Sequence, residues 1–478
     1  MRREADAAPT RVAPERAGAK DTFDVVVIGA GPAGEVLAGA LRDRELSVAI
    51  VESDLVGGEC AFRACMPSKA LLRPAEARAE ALRIPGLGPG VRAPIEPGPV
   101  LARRDEVVHR LDDSTKLGWL RARDITLVRG RGRIAGERCV RVGERTLHAR
   151  RAVAVAVGSA PALPAIDGLD AVVPWTSREA VLAERVPPTL VVLGGGAVGV
   201  ELAAAFASLG SEVALLEARD RLLAAEEEFA GDEVADALRQ RGVDVRLGVE
   251  VRSVRREQGE VRARLGNGEL VRGAEFLVAA GRRPLTDDLG LDSVGLEPGE
   301  FIGVDHAWRA CGLDWLIAVG DVNGTALLTG EAKRQAREAA AVIAGERPSG
   351  ASGGSPPPRV VFSDPQVAAV GHTLASAREQ GLDAHAYDAP SAGSAGASFH
   401  GRETAGTSRI VVDEARGLLV GATFVGFEVA EWLHAATIAI VGAVPVERLW
   451  DAVPAFPTRS EVWLALLGAR AEQRRAQR

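Results

Sequence analysis

The chain predicts an α/β protein made of two copies of one strand, turn, helix and strand unit, followed by a separate α+β domain. Three observations carry this expectation. The segment FDVVVIGAGPAGEVLAGALRDRELSVAIVES near the start has an apolar run, a glycine cluster, a helical run and a second apolar run ending in an acid. The segment PTLVVLGGGAVGVELAAAFASLGSEVALLEARDRLL in the middle repeats that plan. The Gly, Ser and Pro-rich stretch ERPSGASGGSPPPR then marks a boundary, beyond which strand patterns such as SRIVVDEARGLLVGATFVG alternate with the helical run EVAEWLHAATIAIVG.

In the first unit, Val25 to Ile28 is apolar on both faces, as a buried parallel strand requires. It stops at Gly29, Gly31 and Gly34 in GxGxxG spacing. Such glycines make the tight turn, let backbone approach a pyrophosphate and let the helix pack on the strand, with the helix N-terminus facing the phosphates. The second strand ends in Glu52, eighteen positions past Gly34, where a carboxylate can accept hydrogen bonds from ribose hydroxyls. Gly194, Gly196, Gly199 and Glu217 repeat the pattern with the same spacing. One glycine cluster alone is weak evidence, but two complete units predict two Rossmann-like dinucleotide-binding domains.

The bulk composition narrows the rest. A chain of 478 residues suits about three domains. A net charge of −7 argues against nucleic acid as a partner, and no apolar run is long enough to span a membrane. Residues 1–20 mix acids and bases without an apolar stretch, and read as a disordered tail rather than a secretory signal. A cytoplasmic location is therefore expected. In that reducing compartment a close cysteine pair is catalytic or metal-binding rather than a structural staple.

Such a pair is present in GGECAFRACMPSK, where Cys60 and Cys65 are two of only four cysteines. Their spacing does not fit common zinc sites and no second Cys or His cluster accompanies them, so no metal site is expected. Residues five apart can be bridged if the helix start is distorted, and a helix N-terminus stabilises a thiolate. The pair reads as a redox-active dithiol beside the first dinucleotide.

With GG, Cys60, Cys65 and PSK, the stretch resembles the pyridine nucleotide-disulfide oxidoreductases, class I, which include dihydrolipoamide dehydrogenase, glutathione reductase and mercuric reductase. It departs from the family pattern at Glu59, Phe62 and Ala64, where Thr, Asn and Gly are usual. VAVGSAPALP, AAGRRPLTDDLGL, WLIAVGDVNG, ALLTGEA and VVFSDPQVAAVG extend the resemblance across nearly the whole chain.

The resemblance implies FAD in the first unit, held by Gly29, Gly31, Gly34, Glu52, Gly58, Gly158, Asp321, Leu328 and Thr329. It implies a nicotinamide cofactor in the second, held by Gly194, Gly196, Gly199, Glu217 and Gly281. Cys65 would lie nearest the flavin, Cys60 would exchange with the acceptor, and Lys69 would pair with Glu201 beside the ring. Glu217 favours NADH over NADPH because a 2′-phosphate would be repelled, although Arg219 and Arg221 stand close by. The implied domains are a first FAD part at 21–165, an NAD part at 166–285, a returning FAD part at 286–346, a linker at 347–358 and a dimerisation domain at 359–478 that makes a homodimer.

One departure bears on the chemistry. The family has a His before Pro-Thr, oriented by a later Glu; here VPAFPTRSEVW keeps Pro457, Thr458 and Glu461 but puts Phe456 at the His position. Phenylalanine transfers no proton. His434 reads as a core or interface residue, Asp451 and His400 have no assigned place, and Cys139 and Cys311 read as inert thiols.

The expected function is an FAD-dependent, dihydrolipoamide dehydrogenase-like oxidoreductase. It carries electrons from NAD(P)H through Cys60 and Cys65 to a disulfide or another small acceptor. A second reading sends them to a quinone or metal ion without a His base. A third is a flavin-bearing redox sensor without turnover.

Overall fold

The computed structural model describes residues 21–87, 89–347, 355–401 and 406–476; the expected tail at 1–20 and most of the expected linker lie outside them. The first sheet comprises β1 (Thr22–Ile28), β2 (Val48–Glu52), β3 (Thr126–Arg129), β4 (Gly132–Ile134), β5 (Cys139–Val142) and β6 (Arg145–Val155), in the order β3-β2-β1-β6-β5-β4. Strands β1, β2, β3 and β6 run parallel, while β4, β5 and β6 form an antiparallel meander.

Alternation along β1 explains why its sequence is apolar throughout. Val25 and Val27 pack with helix α1 (Pro32–Arg42) and the helix Thr329–Ala344. Val26 and Ile28 pack with the meander on the other side. Both faces are therefore dry, and the glycine turn at the C-terminal end of β1 is where this sheet opens to a ligand.

The chain then crosses to the second unit through β7 (Ser159–Pro161) and builds β8 (Thr189–Leu193), β9 (Glu212–Leu216) and β10 (Asp244–Arg246). An antiparallel sheet follows, made of β11 (Val251–Glu257), β12 (Glu260–Leu265) and β13 (Leu270–Gly273). With β14 (Glu275–Val278) the parallel order is β10-β9-β8-β14. The chain returns on β15 (Arg282–Pro284), antiparallel to β7, so the outgoing and returning crossings lie side by side. Strand β16 (Leu316–Ala318) then adds to β6, completing the first sheet with residues that follow the second unit.

The last sheet is antiparallel, with β17 (Arg359–Val361), β18 (Gln366–Gly371), β19 (Ala384–Pro390), β20 (Thr407–Asp413) and β21 (Leu418–Gly426) in the order β17-β18-β21-β20-β19. The turn at DEARG joins β20 to β21 as a hairpin, as its alternation predicts. Phe424 on β21 is fully buried between Trp432 and Trp463, each ring centroid 5.9 Å away. Truncating it to alanine would cost about 3–5 kcal/mol.

His434, expected at the core or an interface, is outside the core of its own chain: it is exposed on the helix Leu433–Val441, whose outward face also carries Ile438 at 57% exposure and Val441 at 61%. The helix Val462–Ala476 is held to the sheet domain by Arg470, which is buried and bonded to Glu414 at 2.7 Å and Glu447 at 2.8 Å.

Candidate active site

The two glycine turns share their construction. Gly29 and Gly194 have φ of +102° and +112°, in the region that favours glycine. A Cβ at Gly34 would stand 1.9 Å from the Gly29 carbonyl oxygen, and one at Gly199 would stand 1.8 Å from that of Gly194. Only a bare Cα lets each helix sit this close to its turn. The acids are clasped alike. Glu52 accepts from the Ala30 N–H at 2.7 Å and the Asp54 N–H at 2.8 Å. Glu217 accepts from the Gly195 N–H at 2.5 Å and the Arg219 N–H at 2.8 Å.

One continuous cavity of about 880 Å³ is lined by Gly29, Gly31, Glu52 and Asp321, and by Cys60 and Cys65. Gly58 and Gly158 also face it; Leu327 and Thr329 do too, with Leu328 capping the helix between them. Its floor carries a hydrogen-bonded chain that the sequence did not disclose. Ser159 Oγ donates to Asp321 Oδ2 at 2.6 Å, and Arg282 donates to Ser159 Oγ at 2.6 Å and to Glu59 Oε2 at 2.8 Å. Glu59 is thereby explained: it anchors Arg282 of the returning crossing to the cysteine segment. The unusual residue at 59 and the Arg in GRRP were the available signals, but only the fold joins them.

The sulfurs meet because the helix start is broken. Helix α2 (Gly58–Phe62) ends and helix α3 (Cys65–Arg83) begins across Arg63 and Ala64, which leave helical geometry at φ/ψ of −138°/11° and −144°/−93°. Both cysteines are free thiols in this structure. Phe62 is buried beneath Gly57, where an added Cβ would stand 2.8 Å from its ring. Cys65 occupies the first position of α3, at its positive end.

Around the pair, Lys69 Nζ donates to Glu201 Oε2 at 2.7 Å, and the other Glu201 oxygen accepts from the Phe362 N–H at 3.0 Å. The ammonium lies 4.9 Å from the Phe362 ring centroid. Lys69 and Glu201 both line the cavity. The hydrogen bond from Cys60 pulls the Cys65 thiol well below its ordinary range; Thr329 and the Lys69 charge add to this while burial opposes it. The same bond, with burial, pushes Cys60 up.

Other residues stand apart. Among the nicotinamide candidates, Gly194, Gly196, Gly199, Glu217 and Gly281 lie outside the cavity wall, at the turns of the second unit. Glu461 is not on the cavity either, and accepts from the Gly396 N–H at 3.2 Å. Phe456 is 77% exposed. Asp451 pairs with Arg448 at 3.0 Å, and His400 packs on Phe427 with ring centroids 5.6 Å apart. Cys139 lies on β5 and Cys311 is exposed, remote in fold position from the pair. Among the described residues, no His, Cys, Asp and Glu cluster is arranged to hold a metal ion, and no helix is long and apolar enough to cross a membrane.

Comparison with known proteins decides the family. The model for pyridine nucleotide-disulphide oxidoreductases matches residues 23–341, and that for the dimerisation domain of the same group matches residues 357–466. The chain belongs to the pyridine nucleotide-disulphide oxidoreductase family. It is 33% identical to a dihydrolipoyl dehydrogenase of Halobacterium salinarum, over 92% of this chain and 94% of that protein. It is 32% identical to a mercuric reductase of Shigella flexneri, over 91% and 79% respectively. Among solved structures it resembles the Cu(II) complex of the HOCl-induced flavoprotein disulfide reductase RclA from Escherichia coli, with a TM-score of 0.82, 25% identity, and coverage of 94% of this chain and 99% of that one.

The protein is thus an FAD-dependent oxidoreductase of the disulfide reductase type, with a mixed α/β fold and a C-terminal dimerisation domain. Its residues fit FAD. A Cβ on Gly58 would come within 2.7 Å of Gly31 Cα, so two bare backbones pass each other at the cavity wall. The same cavity reaches the clasped Glu52 and both sulfurs.

Proposed function

We propose that this chain carries electrons from NADH through FAD and the Cys60–Cys65 couple to a disulfide or another small acceptor. The observation that carries this reading is the meeting of both sulfurs and the Lys69–Glu201 pair in the wall of one cavity that also reaches Glu52 and Asp321. Bound FAD supplies relay of a hydride equivalent from the nicotinamide to the sulfurs. Gly29, Gly31 and Gly34 would bring its pyrophosphate to the positive end of α1, with Glu52 at the ribose and Asp321, Gly58, Gly158, Leu328 and Thr329 along the remainder. Gly194, Gly196, Gly199, Glu217 and Gly281 would hold the nicotinamide cofactor, and the Glu217 carboxylate repels a 2′-phosphate and so favours NADH.

The protein side of the reaction follows from charge. Opening the Cys60–Cys65 disulfide takes two electrons and one proton and yields one thiolate and one thiol. Cys65 bears the charge, since it sits at the start of α3 with Lys69 close by, and Cys60 retains the proton. Glu201, 5% exposed, fixes the Lys69 ammonium at the cavity wall. Cys60 is the sulfur through which electrons leave.

Phe456 favours a second reading for the acceptor. A disulfide needs proton exchange at the outgoing thiol, and a positioned base contributes roughly 10²–10⁴-fold. No such base stands at position 456, and Glu461 is engaged by the Gly396 N–H. A quinone or metal ion takes electrons without that base, and the similar Escherichia coli protein was solved as a Cu(II) complex. We further propose a cytoplasmic homodimer through the 359–478 domain, with the remaining boundaries at 21–165, 166–285 and 286–346.

The test is an acceptor panel of lipoamide, a small disulfide, a quinone and Cu(II), driven by NADH and by NADPH. In Cys60→Ser, disulfide reduction should fall at least about a hundredfold. In Phe456→His, disulfide turnover should rise at least about tenfold. Undiminished disulfide reduction in Cys60→Ser would remove the thiol couple from the pathway; an unmoved Phe456→His would remove the missing-base argument.

A further inference from the structure

The Thr329 side chain stands where the function above leaves a gap. Its Oγ1 donates to Cys60 Sγ at 3.3 Å while both sulfurs are free thiols, and lies 3.6 Å from Cys65 Sγ, where either atom can donate, so one hydroxyl bridges the two sulfurs. Thr329 is the first residue of the helix Thr329–Ala344, whose cap Leu328 offers no side-chain hydrogen bond. The uncapped positive end of a 16-residue helix is thereby set against the sulfur pair. A hydroxyl has one proton to donate and two lone pairs to accept with. It can donate to either sulfur by rotating about one bond, but to only one at a time.

That property matches what the couple needs. After the disulfide takes up two electrons and one proton, a single negative charge has to reside on one of two adjacent half-buried sulfurs. No protonatable group from the FPT stretch is present to settle it. We propose that the Thr329 hydroxyl is the positioning residue that holds this charge on Cys65, donating to the Cys65 thiolate while Cys60 keeps the proton. When electrons pass to the acceptor and Cys60 gives up that proton, the same hydroxyl turns to the Cys60 sulfur. The inference rests on the thiol-couple reading above but concerns a hydroxyl to which that reading assigns no part in the sulfur chemistry.

The test isolates Cys65 by placing Thr329→Val and Thr329→Ser in the Cys60→Ser holoenzyme. There Cys65 is a lone thiol, and its thiolate beside the flavin gives long-wavelength absorbance without any reductant. Titrating that absorbance with pH reads the Cys65 midpoint directly. Hydrogen bonds to charged groups are worth about 1.5–3 kcal/mol, so Thr329→Val, which keeps the shape and loses the hydroxyl, should raise the midpoint by about one to two pH units. Thr329→Ser, which keeps the hydroxyl, should return it to within about half a unit. An unchanged midpoint in the valine variant, or a serine variant that behaves like valine, overturns the inference and leaves the thiol-couple reading standing. Absence of the absorbance at every pH with Thr329 intact instead overturns the couple itself.

Discussion

The first and second dinucleotide units carry the same turn, yet only the first is roofed. In both, the opening glycine has positive φ, the third glycine touches the carbonyl of the first, and the terminal acid clasps the same two backbone N–H groups. They differ at the middle glycine. Gly31 is overlaid by Gly58 of the cysteine segment, whereas a Cβ at Gly196 would meet nothing within 4 Å. The roof turns a surface crevice into the cavity that contains the sulfurs. One motif thus gives an enclosed site suited to a resident group and an open site suited to one that comes and goes.

Valine at the third glycine of each unit should break this comparison most strongly. In Gly34→Val the side chain meets the Gly29 carbonyl inside the enclosed unit, and the purified protein should retain less than about a tenth of its flavin. Gly199→Val places the same collision in the open unit. It should keep its flavin, while kcat/KM for NADH falls about a hundredfold, or about 2.7 kcal/mol. Flavin absorbance and steady-state kinetics on the two variants check the pair; equal flavin loss in both would mean the units are not independent.

A smaller effect is expected where the units touch. Glu201 belongs to the second unit and Lys69 to the cysteine helix, and their 2.7 Å contact is a direct ion pair between them. Glu201→Gln removes the charge that fixes the ammonium but preserves the shape. Lys69 is partly exposed, which limits the structural cost. Stopped-flow reduction by NADH should slow about ten- to a hundredfold with flavin content unchanged.

Much of this arrangement was legible in the sequence because it is local. Strand β1 is apolar on both faces because both are covered, and each acid stands at or just past the end of its strand, where it clasps the N–H groups of the turn. The five-residue spacing of Cys60 and Cys65 predicted a distorted helix start, and the break at Arg63 and Ala64 supplies it. What stayed hidden joins distant segments. Glu59, Ser159, Arg282 and Asp321 make one hydrogen-bonded chain only because β7 and β15 lie side by side. The Thr329 hydroxyl meets both sulfurs only after the chain has returned from the second unit. His434 has apolar neighbours in sequence but faces outward, since periodicity shows that a helix has an apolar face without showing whether that face meets the core of its own chain.

The finest test of the enclosed site is its pH dependence. On the proposed thiol-couple reading, the long-wavelength absorbance of the two-electron-reduced enzyme requires the Cys65 thiolate. The hydrogen bond from Cys60, aided by Thr329 and Lys69 against the opposing effect of burial, holds that thiol at about 6. A depressed thiol is ionised above its midpoint and protonated below it, so the absorbance should be full near neutrality and vanish as pH falls through about 6. Lys69→Met removes a positive charge that favours the thiolate but leaves Cys60 and Thr329 in place. Its midpoint should therefore move upward, by about one unit. An unmoved midpoint would mean that the ammonium does not act on the Cys65 charge, and would confine its role to the contact between the two units.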